Sequence, residues 1–219
     1  MPRALFEKTG NAVYISHLDL MRVFQRAFKR AGLPLTHTQG FSPRPSVSIA
    51  LPMSVGVESR CELLDFDLNG ESVSNEEIMV RLNQALVDGV RVLCVYDGSD
   101  KIRDIALLDC SVFLEYDKGV PANAEAELRN LFSRESLTVE KRGKNGMTQQ
   151  DIIPLIRNSR IVSEDGNMLR MDARICCQNP ALNPMQITVA IERYLPELKP
   201  DFARFCRNEI YRQDKSIFR

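Results

Sequence analysis

The chain has 219 residues, with 29 lysines and arginines balanced by 29 aspartates and glutamates and an apolar share of 44%. This composition supports a core of ordinary size and excludes a disordered chain, and the zero formal charge excludes a protein that holds nucleic acid through bulk charge alone. No apolar run approaches the roughly 20 residues that a bilayer span requires, and Met1-Pro2-Arg3 leads straight into a strand-like segment, so we expect no membrane insertion and a cytoplasmic location.

In chain order, residues 3–7 read as a short strand centred on Leu5. A helix over residues 17–31 follows, with Ser16 able to cap it, Asp19 favouring the positive end of the dipole, and Gly32 and Pro34 supplying a stop. Leu20, Met21, Phe24, Ala27, Phe28 and Ala31 recur at helical spacing and predict a core face, while Arg22, Arg26, Lys29 and Arg30 fall on the other side. Residues 46–51 and 61–68 alternate as strands. A second helix is capped by Ser74, carries an apolar stripe of Ile78, Leu82, Ala85 and Leu86, and stops at Gly89; a strand over residues 90–96 closes the unit.

The rest of the chain repeats the pattern less regularly. A short connecting helix is expected over residues 100–106, then a strand over 107–116, a helix over 122–133, a strand over 136–141 and a mobile polar loop over 142–146. Residues 152–156 suggest an extra strand broken by Pro154, and residues 161–163 and 168–177 suggest a hairpin across Asp165-Gly166-Asn167. Asn183 with Pro184 opens a helix running to Tyr194, and residues 202–211 return as the last strand. The expectation is an α+β protein of tandem ferredoxin-like βαββαβ halves with antiparallel sheets, one over residues 1–98 and the other over 99–219.

The six cysteines lack CxxC spacing, and most sit at apolar strand positions, which predicts reduced core thiols and no metal site. Charge is unevenly placed: bases dominate up to Arg60 and acids dominate from Cys61 to Asp100. The helix over 17–31 and the loop Gln39-Gly40-Phe41-Ser42-Pro43-Arg44-Pro45 therefore form the candidate site. Two prolines restrict the loop, so it can hold Gln39 and Arg44 in place for a ligand. Phosphate contacts need charge and reach, which Arg22, Arg26, Lys29, Arg30 and Arg44 supply. Tyr14 and Phe41 are stacking candidates, although a buried aromatic at each end of the helix is the commoner outcome. His17 is a weaker candidate general base, with His37 as its partner, and Asp19 either orients His17 or pairs with Arg22.

The stretch FEKTGNAVYISHLDLMRVFQRAFKRAGLPLTHTQGFSPRPSVSIALPMSVGVES resembles the opening of the radical-SAM-linked family of uncharacterised bacterial proteins, specifically over about the first 65 residues. Lys29 and Arg30 stand where that family has two basic residues before A-G-L-P, and Arg44 stands at a position that is usually basic or aromatic. Members occur as separate chains or as the C-terminal region of a cobalamin-binding radical SAM protein. The resemblance implies a radical SAM partner carrying a 4Fe–4S cluster, S-adenosylmethionine and cobalamin. This chain lacks the CxxxCxxC spacing such a cluster needs, so it is expected to carry no cofactor itself. Three functions follow: an accessory protein presenting structured RNA or a ribosome-related assembly to that enzyme, a stand-alone RNA-processing hydrolase using His17, or a protein–protein adaptor. The first uses both the charge asymmetry and the resemblance.

Overall fold

The computed structural model describes residues 1–70, 72–143 and 146–219. The chain divides into two compact units, one spanning Met1–Ile102 and the other Arg103–Phe218. Both mix helices with antiparallel strands.

The first unit contains β1 (Pro2–Lys8), α1 (His17–Arg30), β2 (Val47–Ile49), β3 (Val57–Phe66), α2 (Asn75–Ala85) and β4 (Val90–Asp97). β1 lies between β4 and β3, and β2 pairs with the far side of β3, giving the spatial order β4-β1-β3-β2 with every neighbour antiparallel. Alternation along the strands decides what each face does. Ala4, Phe6, Leu64, Phe66 and Val92 point toward the helices and form one core with Leu20, Phe24, Phe28, Ile78 and Leu82. Two ring pairs join helix to sheet: Phe6 meets Phe24 edge-on with centroids 4.8 Å apart, and Phe28 meets Phe66 at 4.9 Å. Burying each of these phenylalanines contributes about 1.5–3 kcal/mol, so the core face fixes which side of α1 remains exposed.

On the opposite face, Arg3 is almost fully buried and lies beside its register partners Asp65 on β3 and Tyr96 on β4. Its guanidinium donates to both carboxylate oxygens of Asp65, at 2.5 and 3.0 Å, and to the backbone carbonyl of Asp100. Burial pushes the Tyr96 phenol up to about 12. The turn into β4 depends on Gly89, whose φ is +80° and whose carbonyl accepts from Thr9 N–H at 2.7 Å. A Cβ there would sit 2.3 Å from the Thr9 carbonyl oxygen, so only glycine fits.

The second unit contains β5 (Ile105–Glu115), α3 (Ala124–Phe132), β6 (Thr138–Gly143), β7 (Gly146–Asp151), β8 (Ile156–Asp165), β9 (Met168–Cys176), α4 (Met185–Tyr194) and β10 (Phe202–Arg212). Its main sheet runs β10-β5-β9-β8, again antiparallel throughout, and β6 and β7 form a separate hairpin. Asn183 holds the chain just before α4 through two hydrogen bonds. Asn183 Oδ1 accepts from Met185 N–H at 3.0 Å, and Asn183 N–H donates to Gln186 Oε1 at 3.1 Å.

Several expectations are corrected here. The connecting helix over 100–106 shrinks to a single 3₁₀ turn, Ile102–Asp104, because Ile105 already belongs to β5. The extra strand over 152–156 is another 3₁₀ turn, Ile153–Leu155, with Pro154 at its start, where a missing N–H costs nothing. Gly146 to Asp151 is β7, a polar strand with no apolar alternation to announce it. β8 is far longer than residues 161–163, because its exposed edge positions are filled by Arg157, Asn158, Ser159 and Arg160. The loop expected to be mobile includes Lys144 and Asn145, which lie outside the described residues.

Candidate functional site

α1 begins and ends through side-chain and backbone devices written locally in the sequence. The Ser16 hydroxyl accepts from Asp19 N–H at 3.2 Å and donates to Asp19 Oδ2 at 2.7 Å. At the other end Gly32, with φ at +66°, makes a Schellman cap: Leu33 N–H reaches the Phe28 carbonyl at 3.0 Å and Gly32 N–H reaches that of Lys29 at 3.3 Å. The helix therefore stops where the chain must turn back past its own outer face.

That outer face carries Arg22, Arg26, Lys29 and Arg30, all exposed. Their charges are not equally free. Arg22 is engaged by Asp19 at 2.6 Å, and Arg30 donates to the Ala85 carbonyl at the end of α2. Among the described residues, no carboxylate pairs with Arg26, Lys29 or Arg44. The Ser16 hydroxyl first, and then Arg22, hold the Asp19 carboxyl below the usual carboxylate range. Asp19 is thus occupied by Ser16 and Arg22.

Residues 34–46 form a narrow antiparallel arm. At its base Asn69 N–H donates to the Pro34 carbonyl at 2.8 Å, Thr36 N–H donates to the Asp67 carbonyl at 2.9 Å, and Leu35 bridges Leu68. Ser46 N–H then donates to the Thr36 carbonyl at 2.8 Å, His37 bridges Pro45, and Thr38 N–H donates to the Arg44 carbonyl at 2.8 Å. The arm leaves Gln39 and Arg44 exposed and Phe41 fully exposed near its tip, and Gly40 adopts a φ of +138°. Tyr14, before α1, is 66% exposed. The expected burial of an aromatic at each end of the helix is therefore corrected: neither ring reaches the core, whose positions are taken by Phe6, Phe24, Phe28 and Phe66.

Two depressions flank the C-terminal half of α1. One, of about 370 Å³, lies between the helix and the arm; Phe28, Leu35 and Pro45 give it apolar walls, and Gln25, Lys29 and His37 add polar groups. The other, of about 420 Å³, is polar and is lined by Arg30, Arg81 and Gln84. Arg81 was not legible as a site residue because it sits in the acid-rich segment; its Arg30 neighbour comes from the packing of α1 beside α2.

His17 and His37 are not brought together. His17 starts α1, its ring makes no hydrogen bond among the described residues, and it lines neither depression. His37 shares a cavity with Lys29, twelve residues further along the helix, or about 18 Å at the α-helical rise. Among the described residues no group of three or more His, Cys, Asp or Glu is placed to hold a metal ion, and no helix is long and apolar enough to cross a membrane. None of the six cysteines is joined in a disulfide, and Cys94 is exposed.

A cationic helix face, an arm tipped by an exposed aromatic, and an apolar cavity between them make up the candidate site. The chain belongs to the family DUF2344, described as "uncharacterized protein conserved in bacteria", whose model matches residues 2–184. No curated protein matches it. Among solved structures it is similar to "an Unknown Protein from Galdieria sulphuraria", at 11% identity and TM-score 0.27, covering 94% of this chain and 96% of that one. It is also similar to a "putative glycine cleavage system transcriptional repressor", at 14% identity and TM-score 0.24, covering 94% and 97%. Likenesses this slight carry no argument about function.

Proposed function

We propose that this protein is a cytoplasmic accessory of a radical SAM enzyme and that it binds structured RNA through the outer face of α1 and the arm. The observation that carries the reading is the set of exposed cations Arg26, Lys29 and Arg44, unpaired with any carboxylate among the described residues and spread over two adjacent elements. A solvated helix face normally interleaves its charges with opposite ones, as Asp19 does for Arg22. Phosphates supply the missing anions without demanding exact geometry. The strand orders β4-β1-β3-β2 and β10-β5-β9-β8 support reading each unit as a ferredoxin-like sandwich, with β6 and β7 inserted into the second. The partnership rests on the sequence resemblance. The cluster, S-adenosylmethionine and cobalamin belong to the partner in this reading, since the cysteines here lack the spacing for a cluster site.

Fluorescence anisotropy with a labelled RNA hairpin, titrated over a range of salt, tests the contact. Affinity should fall with a logarithmic slope of about −0.7 per neutralised phosphate on unpaired strands, and Arg26→Glu with Lys29→Glu should weaken binding and flatten that slope while leaving the melting temperature unchanged. Unchanged affinity at low salt would give the face to solvent and make the chain a protein–protein adaptor. Co-purification from a native host tests the enzyme partner separately.

A further inference from the structure

We propose that the cavity between α1 and the arm takes a single unpaired nucleobase, so that the protein reads single-stranded positions of its RNA; this rests on the RNA-binding reading above and specifies its substrate. The cavity measures about 370 Å³, within the range small ligands occupy. Its walls suit a flat heteroaromatic ring: Phe28 and Leu35 give an apolar floor, and Pro45 adds a rigid apolar side.

Gln25 and His37 stand at the same cavity. A glutamine amide offers a donor and an acceptor together, and a neutral imidazole does the same, which matches the mixed donor and acceptor edge of a base. An alkyl chain would use neither group. Charge complementarity decides between a base and an apolar side chain of a protein. Lys29 lies in the cavity wall and has no carboxylate partner among the described residues. A base brings phosphates on both sides of its own sugar, and Lys29 is placed to meet one of them. The fully exposed ring of Phe41 near the arm tip is available for a neighbouring base to stack on.

Paired bases cannot enter, because a duplex keeps its rings stacked and their edges hydrogen-bonded. The test compares a fluorescein-labelled twelve-residue oligoadenylate with an RNA duplex of equal length, at one low salt concentration, on the intact chain. The single strand should bind about tenfold more tightly, and Gln25→Ala with His37→Ala should remove that preference. His37 is exposed and Gln25 half-buried, so the variant should fold; the wild-type comparison alone decides the matter if it does not. Equal binding of both RNAs, or a preference that survives in the double variant, overturns the base pocket and leaves the cationic face standing. If neither RNA binds, the RNA reading falls and the pocket proposal falls with it.

Discussion

Thr38 and Arg44 hold each other twice across the arm: Thr38 N–H donates to the Arg44 carbonyl at 2.8 Å, and Arg44 N–H donates to the Thr38 hydroxyl at 3.1 Å. The second bond is the one a side-chain change can remove. Thr38→Val keeps the shape and loses a hydrogen bond worth about 1 kcal/mol, so exchange of the Arg44 amide should speed up about fivefold while global stability barely changes. Unaltered exchange would mean that the Thr38 hydroxyl does not protect the Arg44 amide.

The Asp19 carboxyl gives α1 a pH-dependent start. Its pKa in the folded state is depressed, chiefly by the Ser16 hydroxyl and next by Arg22, so its contribution is fully present above the unfolded carboxylate range and is lost as pH falls through the folded value. Asp19→Asn should therefore melt below wild type at neutral pH, with the gap closing on acidification. Melting curves from neutral to strongly acidic pH check this; a gap independent of pH would assign the effect to helix propensity.

Gly89 is a packing requirement. Alanine there would need a positive φ and would press its Cβ against the Thr9 carbonyl and the Ala12 methyl. Backbone strain of this kind costs about 1–3 kcal/mol before the clash is added. Urea denaturation of Gly89→Ala should show at least that loss, and a change below about 0.5 kcal/mol would refute the close approach of β4's entry turn to residues 9–12.

Thiol chemistry should single out one cysteine. Burial pushes Cys110 up to about 12, helped by Asp109 and Asp172, and pushes Cys177 up to about 11, which suppresses the reactive thiolate; Cys61, Cys176 and Cys206 are buried. Cys94 is exposed on β4. Ellman's reagent at about pH 8 should modify one thiol quickly in the native protein and none quickly in Cys94→Ser. A fast thiol surviving in that variant would show that the half-buried Cys177 or one of the buried cysteines is reactive.

What could be read from the sequence was whatever is written in local grammar. Ser16, Asp19 and Gly32 bound α1 to within a residue, and the 3.6-residue recurrence of Leu20, Phe24, Ala27 and Phe28 named its buried side. β7 and most of β8 were illegible, because stretches exposed at successive positions are polar on both faces and show no period of two. The exposed cations of α1 were legible, but which of them stay free was not, since Arg30's partner comes from α2, 55 residues away. The cavity beside Lys29 was invisible for the same reason. It exists only once the arm folds back along the helix, and the positions that staple the arm, Thr36 with Ser46 and Asp67, look like ordinary loop residues.

The arm's ladder is built mostly from main-chain groups: Thr36, Ser46 and Asp67 are joined by N–H to carbonyl bonds, as are Thr38 and Arg44. Its tip, residues 39–43, supplies no bond to that ladder and no side chain to the core. Scaffold and tip are thus separately encoded within a dozen residues. A library randomised at Gln39, Phe41 and Ser42, with Gly40 and Pro43 kept, would vary the tip at almost no cost in foldability, and selecting it for RNA binding would test the proposed contact position by position.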